Sequence, residues 1–277
     1  MKLFLILGLV LSSLTSHGQS YLVLNNGVTL TIDSNGYLYD FGHFYLPYKI
    51  KQNGGQFFVE EEKLITVDSK GLVYEKDLEV TGINGKGMNY FINSSEELIT
   101  IDRDGFYFKY DEDTSVFKKA VTFGGNFFLV KPEKRKPQMD IYTINEKGNY
   151  FKMTLDGLNP SEINLAGGNF FQTKDGRTYT VSKSGFLFSK SDIKVSAISK
   201  TGGNFFIDTN GILFTVTDEG ILLIPSLPKN LVVSEIQKVG SHYMLDKNGN
   251  LFTVDKNGMV LERKSQHDLR NVKVLSF

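Results

Sequence analysis

Gly202-Gly203-Asn204-Phe205-Phe206-Ile207-Asp208-Thr209-Asn210-Gly211-Ile212-Leu213-Phe214-Thr215-Val216-Thr217-Asp218-Glu219-Gly220 holds the two signals that recur along the whole chain. The first is a glycine pair, a polar residue and two aromatics. The second is Thr, then Ile or Val, three mostly polar residues, Gly, any residue and two apolar ones. It begins at Thr31, Thr66, Thr100, Thr143, Thr180, Thr215 and Thr253, and its glycines are Gly36, Gly71, Gly105, Gly148, Gly185, Gly220 and Gly258. The glycines lie 34 to 43 residues apart and average 37. The glycine pair precedes it at Gly54, Gly124, Gly167 and Gly202, with weaker forms at Gly87 and Gly240. Two motifs in fixed order over seven units are a repeat architecture.

Each unit reads as four short strands. In the sixth, residues 204–207 end at a hairpin turn, Asp208-Thr209-Asn210-Gly211. Residues 212–216 stop at a second turn whose Gly220 suits a left-handed position. Residues 221–224 and 232–236 make the third and fourth strands. The second strand carries apolar residues on both faces, as in Leu213-Phe214 and Leu251-Phe252, so a single sheet cannot bury it. Sheets stacked around an axis do, and the expected fold is all-β: a seven-bladed β-propeller of four-stranded antiparallel blades. The short period and the absence of Trp disfavour Trp-Asp repeats, and no 3.6-residue periodicity survives for a helical solenoid. On this phasing the chain starts on a first strand near Tyr21 and ends on a fourth, residues 272–275. Every blade is then consecutive, and the ring closes by side-chain packing rather than by a shared strand.

Residues 1–18 are expected to lie outside the fold. Lys2, an apolar run at 3–11 and small residues at Ser16 and Gly18 have the form of a secretory signal peptide cleaved before Gln19. The run is too short to span a bilayer. Removing 18 residues leaves 259 of the 277 as one propeller domain. With no Cys there is no lipidation, disulfide or thiolate site, and the product is expected to be secreted or periplasmic, without membrane insertion. The 31 basic and 31 acidic residues balance, which argues against a nucleic-acid partner.

The chain resembles the tachylectin-type lectin propellers. The resemblance is carried by Gly202-Gly203-Asn204-Phe205-Phe206, by Asn210-Gly211-Ile212-Leu213-Phe214 and by their equivalents. It covers all the units at the level of the fold and implies no sugar-binding residue. The Trp after the glycine pair in those five-bladed lectins is absent from every unit here.

Candidate sites divide into two groups. The residue after the glycine pair forms a series, Ser20, Gln56, Asn89, Asn126, Asn169, Asn204 and His242. If the first strand lines the axial channel, these ring one mouth and meet a ligand; alternatively each amide fixes the crossing between neighbouring blades, the reading that repetition in nearly every blade favours. The second group lies in residues 40–47, with Phe41, His43, Phe44 and Tyr45, on an end of the blades where the loops vary. Interblade packing is the expected role of these rings, with an aromatic surface for a sugar or a protein the alternative. Lys131, Lys134, Arg135 and Lys136 read as a solvated tip or a contact for an acidic partner. Glu60-Glu61-Glu62 and Asp111-Glu112-Asp113 read as solvated loops, and the Asp-containing turns as hairpins rather than calcium loops. His43, His242 and His267 fall in different segments, so no catalytic residue, metal site or cofactor is assigned. The expectation is a monomeric, non-enzymatic scaffold for protein partners. A glycan-binding module is the alternative, and a hydrolase or lyase acting on surface polymers the third.

Overall fold

The computed structural model describes residues 20–131, 140–154, 162–190 and 193–276, and shows seven four-stranded antiparallel sheets arranged as a propeller. Residues 1–18, expected as a signal peptide, and Lys134, Arg135 and Lys136 lie outside the described residues.

In the second blade the hydrogen-bonded order is Ile50–Asn53, Phe57–Glu60, Lys63–Val67 and Val73–Glu79, which is also the chain order. The glycine pair therefore sits inside the blade, as the turn between its first and second strands. Gly54 N–H donates to Phe57 O at 2.8 Å across that turn. This corrects the expected phasing by one strand. The strand placed at 232–236 is instead a 3-10 turn, Val233–Glu235, followed by Ile236–Val239, the first strand of the seventh blade.

The correction changes the closure. The last strand, Val272–Leu275, pairs antiparallel with Ser20–Leu24 and becomes the first strand of blade 1, beside Val28–Ile32 and Leu38–Phe44. The ring is closed by main-chain hydrogen bonds between the two ends of the described chain, through the strand that the sequence pattern places at the end of the last unit.

Neighbouring residues of the second strand point to opposite faces. Phe57 thus packs on Phe91 of the third blade, at 5.0 Å between ring centres, while Phe58 packs on Tyr21 of the first, at 4.8 Å. The same division runs round the ring, and the buried residues fall into seven clusters, one per seam. Each fully buried Phe contributes about 2 kcal/mol through the area it withdraws from water.

Threonines at the end of the third strand join the seams. Thr66, Thr100, Thr180, Thr215 and Thr253 donate to the turn-glycine carbonyl of the next blade, Thr253 to Gly36 across the closure. The turns themselves behave as expected. Asp33 Oδ1 accepts from the N–H groups of Asn35 and Tyr37, and Asp208 and Asp246 repeat the pattern.

Candidate functional site

Both sets of turns meet at one end of the blades. The turns between third and fourth strands form a closed circle of seven main-chain hydrogen bonds, running from Ser34 through Ser69, Arg103, Glu146, Lys183, Asp218 and Lys256 back to Ser34. The N···O distances run from 2.7 to 3.3 Å. Peptide units bonded side by side are spaced about 4.8 Å apart, so seven of them close a circle about 5.5 Å in radius around the axis. The side chains on it include Arg103, Glu146, Lys183, Asp218 and Lys256, which alternate in sign.

The glycine-pair turns make a second chain of contacts. Gln56 N–H donates to Met88 O, Met88 N–H to Gly125 O, Gly203 N–H to Ser241 O, and Ser241 N–H to Ser276 O. Gly168 shows why the pair is glycine: a Cβ there would overlap the backbone of Gly203. Met88 occupies one of these positions, and its Sδ lies against Gly125 and Gly203.

Gln56, Asn89, Asn126, Asn169 and His242 converge with Met88, Lys183 and Asp218 on a small cavity of about 20 Å³. Five of the seven positions in the series are thus brought together, and Ser20 is not among them. Asn204 is buried and placed equivalently, but it too lies off the cavity wall. The amides have a structural end: Asn126 Nδ2 donates to Ser182 O of the next blade at 3.2 Å, and Asn204 Nδ2 to Val254 O and Asp255 O at 3.4 and 3.3 Å. Their other ends have no protein partner: Gln56 Oε1, both amide atoms of Asn89, and the Oδ1 atoms of Asn126, Asn169 and Asn204. Ser20 Oγ, also buried, shares that condition.

The aromatic group lies elsewhere. Phe41, His43 and Phe44 fall within the strand Leu38–Phe44 rather than in a loop, and a register shift between Val28 and Leu30 accommodates Gly42. Tyr45 is half-buried and meets Phe58 edge-on at 4.8 Å in the seam between blades 1 and 2. Burial, with Glu60 and Glu75 nearby, pushes its phenol up to about 12. Glu61 and Glu62 are exposed, and Lys49 bonds Glu61 at 2.8 Å. Among the described residues no three of His, Asp and Glu come together as a metal-holding group, and no helix is long and apolar enough to cross a membrane.

A further surface escaped the sequence reading. The "any residue" after the turn glycine is Tyr37, Leu72, Phe106, Asn149, Phe186, Ile221 or Met259. The six apolar ones are 38 to 61% exposed. Two positions on, Tyr39, Tyr74, Phe108, Phe151, Phe188 and Leu223 are also exposed. At two seams a cation from the preceding blade lies over the ring: Arg263 over Tyr37 at 4.6 Å, and Lys76 over Phe106 at 5.1 Å. The available signal was an apolar residue at six of seven equivalent turn positions, where polar residues are the rule.

This is a seven-bladed β-propeller with four-stranded blades, closed by its terminal strand, with an amide-lined axial cavity and an exposed apolar belt. No family model and no curated protein matches the chain. Among solved structures it is similar to a streptogramin B lyase, at 16% identity over 91% of this chain and 95% of that one, with a TM-score of 0.33. It is also similar to a triple-arginine mutant of AofleA from Arthrobotrys oligospora, at 14% identity over 91% and 83%, with a TM-score of 0.32. At these values neither similarity bears on the chemistry of this chain.

Proposed function

We propose that this chain is an exported, non-catalytic binding propeller that holds a protein partner against the apolar belt at the turn end of its blades. The observation that carries the reading is the repetition of large exposed apolar side chains at one register in six of seven blades. Single exposed apolar residues are ordinary, whereas a grouped set is characteristic of a contact surface. The belt is uniform in exposure but not in chemistry, running through Tyr, Leu, Phe, Ile and Met. Seven copies of one small ligand would need seven like sites. A varied belt suits one extended partner with its own apolar relief. The belt residues carry no acid, base or nucleophile beyond tyrosine, which favours binding over catalysis. Export rests on the apolar run at 3–11 and the small residues at Ser16 and Gly18. The mass of the exported protein should correspond to a chain starting at Gln19.

A glycan ligand is the second reading, favoured by the two seams that set a cation over an exposed ring, at Tyr37 and Phe106. A photo-crosslinking residue at Phe106 or Phe186, with Val232 at the other end of the blades as control, separates the two. The protein reading expects crosslinked protein at both belt positions and not at Val232, with a silent glycan array. Array binding lost in Tyr37→Ser and Phe106→Ser, with no crosslink, would overturn it in favour of the lectin.

A further inference from the structure

We infer that the axial cavity is a binding site for a monovalent metal cation of about the size of a water molecule, coordinated by side-chain amide oxygens. The observation is the set of buried acceptors without protein donors on its wall: Gln56 Oε1, Asn89 Oδ1, Asn126 Oδ1 and Asn169 Oδ1. Gln56, Asn89 and Asn126 are 2, 2 and 5% exposed. A buried acceptor without a donor carries a penalty comparable to a lost hydrogen bond, so four around one small chamber are not neutral to folding.

Hydrogen bonding decides which way two of the amides point. The NH2 groups of Asn126 and Asn204 are committed to carbonyls of the next blade, which fixes the oxygen as the free end. The wall is thereby dominated by acceptors, four unpaired amide oxygens against the one unpaired amide donor of Asn89.

The cavity's volume, about 20 Å³, takes one water-sized occupant. A single water has two protons to donate and leaves two of the four oxygens unmet. A cation meets all of them at once, since hard cations gather six to eight oxygen ligands (roughly) around one centre. Neutral amide oxygens favour an alkali ion over a divalent one, which recruits carboxylates. Asp218 and Lys183, the charged residues on the wall, oppose each other in sign, and Lys183 Nζ is bonded to Glu219 at 3.0 Å. Met88 lines the chamber, as do Lys183 and Asp218 from the circle of turn hydrogen bonds. A bound ion would tie the blades together at the point where their backbones come closest. This site is separate from the belt and stands or falls independently of the proposed partner.

The test is thermal unfolding of the full mature chain in potassium, sodium or lithium chloride, with choline chloride holding ionic strength constant. A saturable rise in Tm of about 5 °C with potassium, and less with lithium, is expected. Asn89 makes no hydrogen bond through its side chain, so Asn89→Leu removes a ligand without breaking an interblade contact. That variant should fold and lose the potassium response. Should it fail to fold, rubidium-soaked crystals of the unaltered chain give the answer directly, through an anomalous peak on the axis among the four oxygens. A Tm indifferent to the cation, or crystals with water alone in the chamber, would overturn the inference.

Discussion

Ending the chain at Asn271 removes the strand Val272–Leu275 and leaves Ser20–Leu24 as a bare edge in blade 1. The loss can be worked from the contacts. Val272 is buried against Leu22 and Leu24, and Leu275 and Val274 are partly buried in the two adjoining seams. Together these side chains represent about 4 kcal/mol of apolar burial. Three paired positions of the ladder go, as does the bond from Ser276 N–H to Tyr21 O, and at a net ~1 kcal/mol per hydrogen bond this adds about 4 kcal/mol. A total near 8 kcal/mol is of the order of a whole domain's stability. The truncated chain should therefore unfold at a much lower urea midpoint or not fold cooperatively at all. Hydrogen exchange read by mass spectrometry adds the decisive detail. At low denaturant, protection should be lost first from Ser20–Leu24, some 250 residues away in sequence (roughly the length of the ring, at four strands per blade). If those amides keep full protection while Val260–Arg263 loses it, the last strand belongs to blade 7 and the closure described here is refuted.

Gly168→Ala should abolish cooperative folding or cost more than about 3 kcal/mol in denaturant titration, because its Cβ meets the backbone of Gly203 and neither can yield. Gly211→Ala has open space around it but a φ of +78°, and should cost only about 1 kcal/mol. Equal costs would contradict the close approach at the axis. Asp40 accepts from His267 at 2.6 Å and from Gly42 N–H, which lowers its carboxyl below the usual range. Its contribution is thus present above the unfolded carboxylate pKa of about 4 and disappears as pH falls through the lower folded value. Asp40→Asn should therefore lower Tm more at pH 7 than at pH 2.5, and an equal loss at both would remove the carboxylate as the cause.

The repeat was legible because it is written in residues with few alternatives. A turn with positive φ takes Gly, as at Gly36 and Gly220, and a strand buried on both faces takes runs such as Leu213-Phe214. The convergence of Gln56, Asn89, Asn126 and Asn169 was also visible as a series, since equivalent positions in a closed ring must meet around its axis. One feature was masked by the same periodicity. The apolar belt sat in a position treated as free, because exposure there depends on how far each turn projects, not on the local pattern. Interblade packing is expected of residues 40–47, but which ring fills which seam is shown only by the edge-on contact of Tyr45 with Phe58.

By itself the sequence determined the number of blades, their four-strand make-up and the turn chemistry, all of which are local and repeat at a period of 37 residues. A period has no origin, so the same pattern is compatible with a blade beginning before or after the glycine pair. Tertiary structure decided that phase, because a hydrogen-bond ladder must join Val272–Leu275 to Ser20–Leu24 or leave both edges bare. It also decided which end of the Asn126 and Asn204 amides is spent on the next blade and which is left unpaired, for that depends on where a neighbour's carbonyl lies in space.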